Sequence, residues 1–328
     1  MLTWTAEPVT VTVPATSANL GPGFDSLGLA LSLHDAVQAR VQDAGVDVEV
    51  TGFGTGEVGT GEQHLVIRAM RAAFAALGAQ PPGISIRCRN AVPQGFGLGS
   101  SAAAITAGLL AARALAAASP AASMHAAEAH AGLPDDDLLR LASDLEGHPD
   151  NVAACLRGGL TIAWTAVGGV RAARLSPLPG LAPVLCVPAV PLLTEMARKA
   201  LPARIPHADA AANSARTALL IAALTSRPDL LLAGTEDFLH QQYRAESMPA
   251  SADLIARLRR AGIAAVVSGA GPAVLALTVA GVTAGPDDVA RIVLDSGTAW
   301  KVRSLRVDDA GARVSPSDPR TPSVAGDL

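Results

Sequence analysis

Lysine is nearly missing from this chain of 328 residues. Lys199 and Lys301 are the only two, and neither lies beside a glycine-rich stretch. A Walker A loop carries its lysine within the loop, so that mode of triphosphate binding is excluded. Aromatic residues are scarce at 3% (three Trp, one Tyr, five Phe), which argues against stacking platforms for single-stranded nucleic acid. Positive charge is not in excess: 25 Lys and Arg stand against 29 Asp and Glu, so no nucleic-acid partner is expected. The three cysteines, Cys88, Cys155 and Cys186, are far apart and form no CxxC, which excludes a zinc ribbon or disulfide framework and fits a reducing compartment. The N-terminal residues show neither a basic n-region nor an apolar h-region. Arg113 interrupts one apolar stretch, and Pro179, Pro183, Pro188 and Pro191 punctuate another. The expectation is a cytoplasmic globular protein with no membrane partner.

What is present is apolar: half of the residues are hydrophobic and only 16% are charged. That composition and length predict a folded chain of about two domains. Alternation predicts strands over 9–13, 27–33, 46–51, 84–88 and 160–164, and four-residue spacing predicts a helix over 64–77. Helices are expected from residue 100 to about 118, over 135–146 with acids in its first turn, and over 151–156. The Gly- and Pro-rich stretch 165–182 sets an expected boundary: domains 1–170 and 171–314, with a loose tail over 315–328. Beyond it the pattern predicts strands at 184–188, 263–268, 273–279 and 300–307. Helices are predicted at 194–201, 209–224, 229–239, 251–261 and 286–295. Strands and helices mix without regular βαβ alternation, so the class is α+β.

Five short segments could carry chemistry. Pro93–Ala103 runs strand, glycine loop, helix, with Gly95, Gly97 and Gly99 removing side chains just before a helix N-terminus. Bare N–H groups there, with the helix dipole, make a phosphate cradle lined by Pro93, Gly95, Gly97, Leu98, Gly99, Ser100 and Ser101. Ser100 breaks a GxGxxG fingerprint, and Ala103 breaks a GxSxG nucleophile elbow. Ser17–Asp25 (Ser-Ala-Asn-Leu-Gly-Pro-Gly-Phe-Asp) puts two glycines, an amide and a carboxylate into one turn. Glu146–Asn151 (Glu-Gly-His-Pro-Asp-Asn) ends one helix and starts the next, and Glu146 offers a hard oxygen to Mg²⁺. Ser268–Pro272 (Ser-Gly-Ala-Gly-Pro) is a hairpin turn with almost no side chains, able to pack against another backbone loop. Arg216, sharing a helix face with Asn213, and Arg244, in His-Gln-Gln-Tyr-Arg, are two forks suited to a carboxylate. Read singly, each segment is equally a turn, a cap or a surface ion pair.

Taken in order, these segments resemble the GHMP kinases over about residues 9–314. The resemblance implies a ribosomal protein S5 domain 2-like N-terminal domain and a ferredoxin-like C-terminal domain with the site between them. It further implies ATP and Mg²⁺ as cofactors, a homodimer, and transfer of the γ-phosphoryl of ATP to the side-chain hydroxyl of L-homoserine. Mevalonate or a sugar as acceptor, or a catalytically silent binding protein of this fold, are the alternatives. By resemblance Gly95–Ser101 hold the triphosphate, and Ser101 or Ser100 with Glu146 holds the metal. Asn19, Asp25, His148, Asn151, Arg216 and Arg244 line the substrate site. Asp25 and Asn19 are expected at the ammonium or hydroxyl end, and Arg216 and Arg244 at the carboxylate. Asp150 occupies the position of a general base, although phosphoryl transfer by positioning needs none. Ala273 departs from the family's Ser or Thr, and no lysine lies near the first motif. The adenine pocket is barely legible, with His64 and Leu65 its only candidates.

Overall fold

The computed structural model describes residues 4–5, 7–116, 132–192 and 194–316. The alternating valines become β1 (Val9–Ala18), which runs past Pro14 instead of ending there. A register shift between Pro14 and Ala15 against β2 (Leu27–Gln42) lets the strand accommodate the proline's missing N–H. β3 (Gly45–Gly52), α1 (Leu65–Ala76) and β4 (Gly83–Asn90) form a parallel crossover. α2 (Ser100–Ala116), α3 (Asp135–Glu146) and α4 (Asp150–Arg157) follow. The hairpin β5 (Leu160–Ala166) and β6 (Gly169–Leu175) then pairs with the start of β2. The alternating side chains Val11, Val13, Val37, Ala39, Ile84 and Ile86 face helices α1–α4, and this is the first core.

The second sheet is β7 (Leu181–Pro188), β8 (Ala264–Val267), β9 (Val274–Val279) and β10 (Trp300–Ser304), all antiparallel in the order β10-β7-β9-β8. Between β7 and β8 lie α5 (Thr194–Lys199), α6 (His207–Thr225), α7 (Leu231–Gly234), α8 (Gln241–Arg244) and α9 (Pro249–Arg260). α10 (Pro286–Leu294) precedes β10. With α9 and α10 packed on one face, this is the split βαβ arrangement of a ferredoxin-like unit. The other face shares a core with the first half, where Leu185, Leu275 and Leu277, with Leu220 of α6, meet Leu27, Leu29 and Leu98. The class is therefore α+β, as the mixed element order implies. No helix among the described residues is long and apolar enough to cross a membrane.

Four expectations are corrected. The boundary at 170/171 falls inside β6, which hydrogen-bonds to β5, so the chain changes sheets after Leu175. The tail is not loose from residue 315: β11 (Arg313–Pro316) pairs with β1, returning the chain to the first sheet. The rest of the expected tail, and residues 117–118 of the expected helix, lie outside the described residues. No single helix spans 229–239: a 3-10 turn over Pro228–Leu230 leads into α7, which ends at Gly234, and the Asp237 carboxylate then accepts the N–H groups of Leu239, His240 and Gln241 and turns the chain into α8. The strand predicted to residue 307 stops at Ser304; Arg306 O then accepts the Ser32 N–H, and Leu31 bridges Val307 on the first sheet.

One buried carboxylate sets the entry to the glycine loop. Asp35, on β2 and 5% exposed, accepts the N–H groups of Ala91 and Val92 at 2.7 and 2.8 Å. Burial outweighs those bonds and the charge of His34, and pushes the carboxyl up to about 7. The unfolded chain ionises near 3.8, so between the two values the folded state holds the extra proton and stability falls as pH rises. Asp35→Asn keeps an acceptor oxygen and removes the titration. Thermal melts should show the wild type gaining about 2 °C or more relative to Asp35→Asn between pH 7.5 and pH 5. Parallel curves for the two proteins would refute this account.

Candidate active site

The glycine loop is held from behind by the hairpin turn. A Cβ at Gly97, whose φ is +74°, would lie 2.0 Å from Ser268 O and 2.8 Å from Gly271 N. Only hydrogen fits there. Ser268 Oγ donates to Gly97 O at 2.8 Å and meets Ser17 Oγ at 2.9 Å, while Ala273 N donates to Phe96 O at 3.3 Å. The Ser268–Pro272 turn therefore packs its backbone on the loop, as its lack of side chains implies. Gly99 is equally constrained, its Cβ position lying 2.0 Å from Thr16 Oγ1. Thr16 donates to Asn151 Oδ1 at 2.7 Å, joining β1 to the start of α4.

A cavity of about 450 Å³ opens in front of this loop. Pro93, Gly95, Gly97, Leu98, Gly99, Ser100 and Ser101 all line it, as do the first residues of α4, Asp150 and Asn151. The N-termini of α2 and α4 thus converge on one space, each with leading N–H groups that have no partner within the helix. At one end the wall is Val58, His64, Leu65 and Asn90. His64 Nδ1 is buried there without a hydrogen-bond partner, and burial lowers the ring's pKa. Near α2, Ser101 Oγ donates to Glu146 Oε1 at 2.6 Å. Burial raises the Glu146 pKa against the hydrogen bond from Ser101 and the charges of His148 and Arg198. His148 Nδ1 lies 3.0 Å from Asp150 Oδ1, which also accepts the Asn151 N–H at 2.7 Å.

The other end of the cavity is built by Ser17–Asp25. Asn19, Leu20 and Asp25 have φ of 67°, 51° and 52°, left-handed conformations that non-glycine residues adopt at a cost. Asn19 holds them: Nδ2 donates to Gly269 O at 2.8 Å and Oδ1 accepts the Asp25 N–H at 2.9 Å. Asn213 Nδ2 and Thr217 Oγ1 donate to Pro22 O from α6. Asp25 is presented to the cavity and is gripped by Arg198, whose Nη2 and Nη1 lie 2.9 and 3.3 Å from its oxygens. Arg244, 1% exposed, also lines the cavity. It donates to Ala197 O and Gly269 O and to His240 Nδ1, and its charge meets no carboxylate in a salt bridge among the described residues. Burial, assisted by the charge of Arg198, lowers its pKa to about 10 against the pull of Asp25, Asp237 and Asp150. Both guanidinium groups lie over the Phe24 ring, at 5.9 and 5.6 Å from its centroid.

Asn19, Asp25, Glu146, His148, Asp150, Asn151 and Arg244 therefore meet at one cavity with the glycine loop. Arg216 does not. It is absent from the cavity wall, donates to Glu236 at 2.6 Å and lies over Phe238. Its helix meets the Ser17–Asp25 turn through Asn213 and Thr217, so a face shared with Asn213 at i, i+3 does not bring Arg216 to the cavity. Arg198, which no motif marked, takes its place. Its only signal is a short cationic helix in a Pro-punctuated stretch.

A glycine loop at a helix N-terminus, backed by a second loop and facing two helix ends, defines a site for a nucleoside triphosphate. Comparison with known proteins agrees. Residues 64–159 match the model for the GHMP kinases N terminal domain and residues 219–295 that for GHMP kinases C terminal. The protein is an ATP-dependent kinase of that class. A homoserine kinase of Streptomyces coelicolor is 50% identical over 311 residues, spanning 95% of this chain and 96% of its own. One of Streptomyces avermitilis is 51% identical over 311 residues, spanning 95% and 97%. The crystal structure of homoserine kinase from Cytophaga hutchinsonii superposes with a TM-score of 0.79 at 26% identity, over 96% of this chain and 99% of that one. Within the GHMP kinases, the chain belongs to the homoserine kinase family.

The close approach at Gly97 yields a test. Gly97→Ala forces the loop off the Ser268 carbonyl and should cost roughly 2 kcal/mol or more of stability. The Mg-ATP-induced rise in melting temperature should shrink with it. Gly95→Ala, whose Cβ meets only Pro191 Cβ at 3.1 Å and Leu192 O at 3.8 Å, should be milder. Equal melting shifts for the two variants would contradict the loop-on-loop account.

Proposed function

We propose that the protein transfers the γ-phosphoryl of ATP to the side-chain hydroxyl of L-homoserine, giving O-phospho-L-homoserine and ADP, a step toward threonine. The observation that carries this reading is Arg244: a buried guanidinium on the cavity wall that makes no salt bridge to a carboxylate among the described residues. An unpaired buried charge is costly, and a ligand carboxylate relieves that cost. Homoserine carries a carboxylate and an ammonium three bonds from its hydroxyl-bearing carbon. Arg244 and Arg198 suit the carboxylate, and Asp25 suits the ammonium. The Arg198–Asp25 pair is then a stand-in for the ligand, its two charges matched by the zwitterion's two. A sugar or mevalonate leaves at least one of them unmatched.

The triphosphate fits Gly95–Ser101, where leading N–H groups of α2 point into the cavity, and the base fits the wall at Val58, His64 and Leu65. Mg²⁺ fits Ser101 and Glu146: one carboxylate and one hydroxyl, already within hydrogen-bond distance, leave room for phosphate oxygens and water. When bound there the ion neutralises charge on the phosphates. In the reaction the substrate hydroxyl oxygen bonds to the γ-phosphorus, the bond to the ADP oxygen breaks, and the hydroxyl proton is released. Because the transition state is loose, holding the two reactants in line supplies most of the acceleration. Asp150 is engaged by His148 and the Asn151 N–H, which supports a part in orienting His148 more than in taking the proton.

ADP release with L-homoserine, mevalonate, galactose and L-serine tests the substrate. Turnover is expected with L-homoserine in clear preference to the others. Arg244→Gln and Arg198→Gln should each raise the KM for homoserine by roughly 30- to 1,000-fold, the equivalent of losing 2–4 kcal/mol of charge-assisted bonding. Arg216→Leu should stay within about threefold, because its partner Glu236 lies outside the cavity. A large KM defect in Arg216→Leu with none in Arg198→Gln would reverse these two assignments. Preference for mevalonate or a sugar would overturn the substrate.

A further inference from the structure

His240 is completely buried beside the cleft, and the chemistry above does not use it. It sits immediately before α8, one turn ahead of Arg244. Its Nε2 lies 2.8 Å from Gly21 O, and its Nδ1 lies 3.1 Å from Arg244 Nη1. A carbonyl only accepts, so Nε2 must carry the proton. A guanidinium only donates, so Nδ1 must present its lone pair. One neutral tautomer satisfies both contacts; a protonated ring keeps the bond to Gly21 and loses the acceptor for Arg244, and a flipped ring loses both. Burial favours the neutral form, lowering the ring's pKa against the pull of Asp237. Asp237 Oδ2 stands 3.6 Å from Nε2, beyond hydrogen-bond reach, and is committed to the backbone of the turn. The ring also packs on Phe24, with centroids 5.3 Å apart.

We infer that His240 is a positioning residue for substrate recognition: it fixes the Arg244 guanidinium and registers it against the Gly21–Asp25 turn that presents Phe24 and Asp25. The two ends of the zwitterion site come from different halves of the chain, and this imidazole is a direct link between them. Ala197 O and Gly269 O hold Arg244 on other sides; Gly269 reaches the turn that carries Asp25 only through Asn19, whereas His240 contacts both the guanidinium and the turn's backbone directly. Without His240, Arg244 keeps its charge and loses its angle, which weakens bidentate capture of a carboxylate far more than nucleotide binding. The inference rests on the reading of Arg244 as a carboxylate ligand.

The test is steady-state kinetics of the full chain by ADP release, varying L-homoserine and Mg-ATP in turn, with thermal melting as the folding control. His240→Gln places an amide nitrogen near Nε2, keeping the donor to Gly21 and losing the acceptor for Arg244. His240→Asn places an amide oxygen near Nδ1 and keeps that acceptor. His240→Gln should raise the KM for homoserine about tenfold or more, with the KM for Mg-ATP within about twofold. His240→Asn should recover most of the loss. The double variant His240→Gln/Arg244→Gln should be no worse than Arg244→Gln alone, because the histidine acts through the arginine. Should His240→Gln fail to fold, His240→Ala enters the same cycle with the same expectation. Equal losses in both KM values, or additive losses in the double variant, would overturn the inference and leave His240 a packing residue. An unchanged homoserine KM in Arg244→Gln would instead overturn the carboxylate reading on which it rests.

Discussion

The molecule depends on one contact between two stretches of bare backbone. The loop around Gly97 and the turn 268–271 come from different sheets and approach so closely that no side chain fits between them. Glycine at that point is a steric requirement, since a Cβ would overlap a carbonyl oxygen, and the positive φ adds to it. The contact shapes the phosphate cradle and joins the two halves behind it. Ser268 extends the junction to Ser17, and Asn19 ties Gly269 to the turn that presents Asp25. Loop, turn and first motif are one hydrogen-bonded unit, so the ligand-facing groups are placed relative to one another by backbone.

Electrostatics then divides the cavity. At the α2 end, two helix N-termini and small residues favour a polyanion, with the hydrogen-bonded pair Ser101 and Glu146 beside it. At the other end, the buried Arg244 makes no salt bridge among the described residues, while Arg198 pairs with Asp25. That end is stable enough to exist and unsatisfied enough to bind. The left-handed residues of the first motif belong to the same logic, because strain there is held by Asn19, Asn213 and Thr217 for the sake of where Asp25 points.

Much of the site was legible because its parts are short consecutive runs marked by glycine, which a chain uses where backbone must turn sharply or come close. Pro93–Ser101, Ser17–Asp25, Glu146–Asn151 and Ser268–Pro272 each meet the cavity. Arg198 was not legible, since nothing in its own segment distinguishes it from a surface helix cation; only the fold brings it 2.9 Å from a carboxylate 173 residues away. Arg216 shares a helix face with Asn213, but the fold pairs it with Glu236 and leaves it off the cavity wall. β6 was hidden by the glycines that also resemble a linker, and β11 by being four residues long, its pairing supplied entirely by β1.

By itself the sequence determined the class, the cradle and the absence of alternatives that need lysine, paired cysteines or a basic surface. Those follow from composition and from local backbone geometry, which neighbouring residues control. The tertiary structure decided which charges meet at the cavity, which way each guanidinium faces and where one sheet hands over to the other. Such choices depend on distances between residues far apart in the chain, and no local pattern encodes a distance.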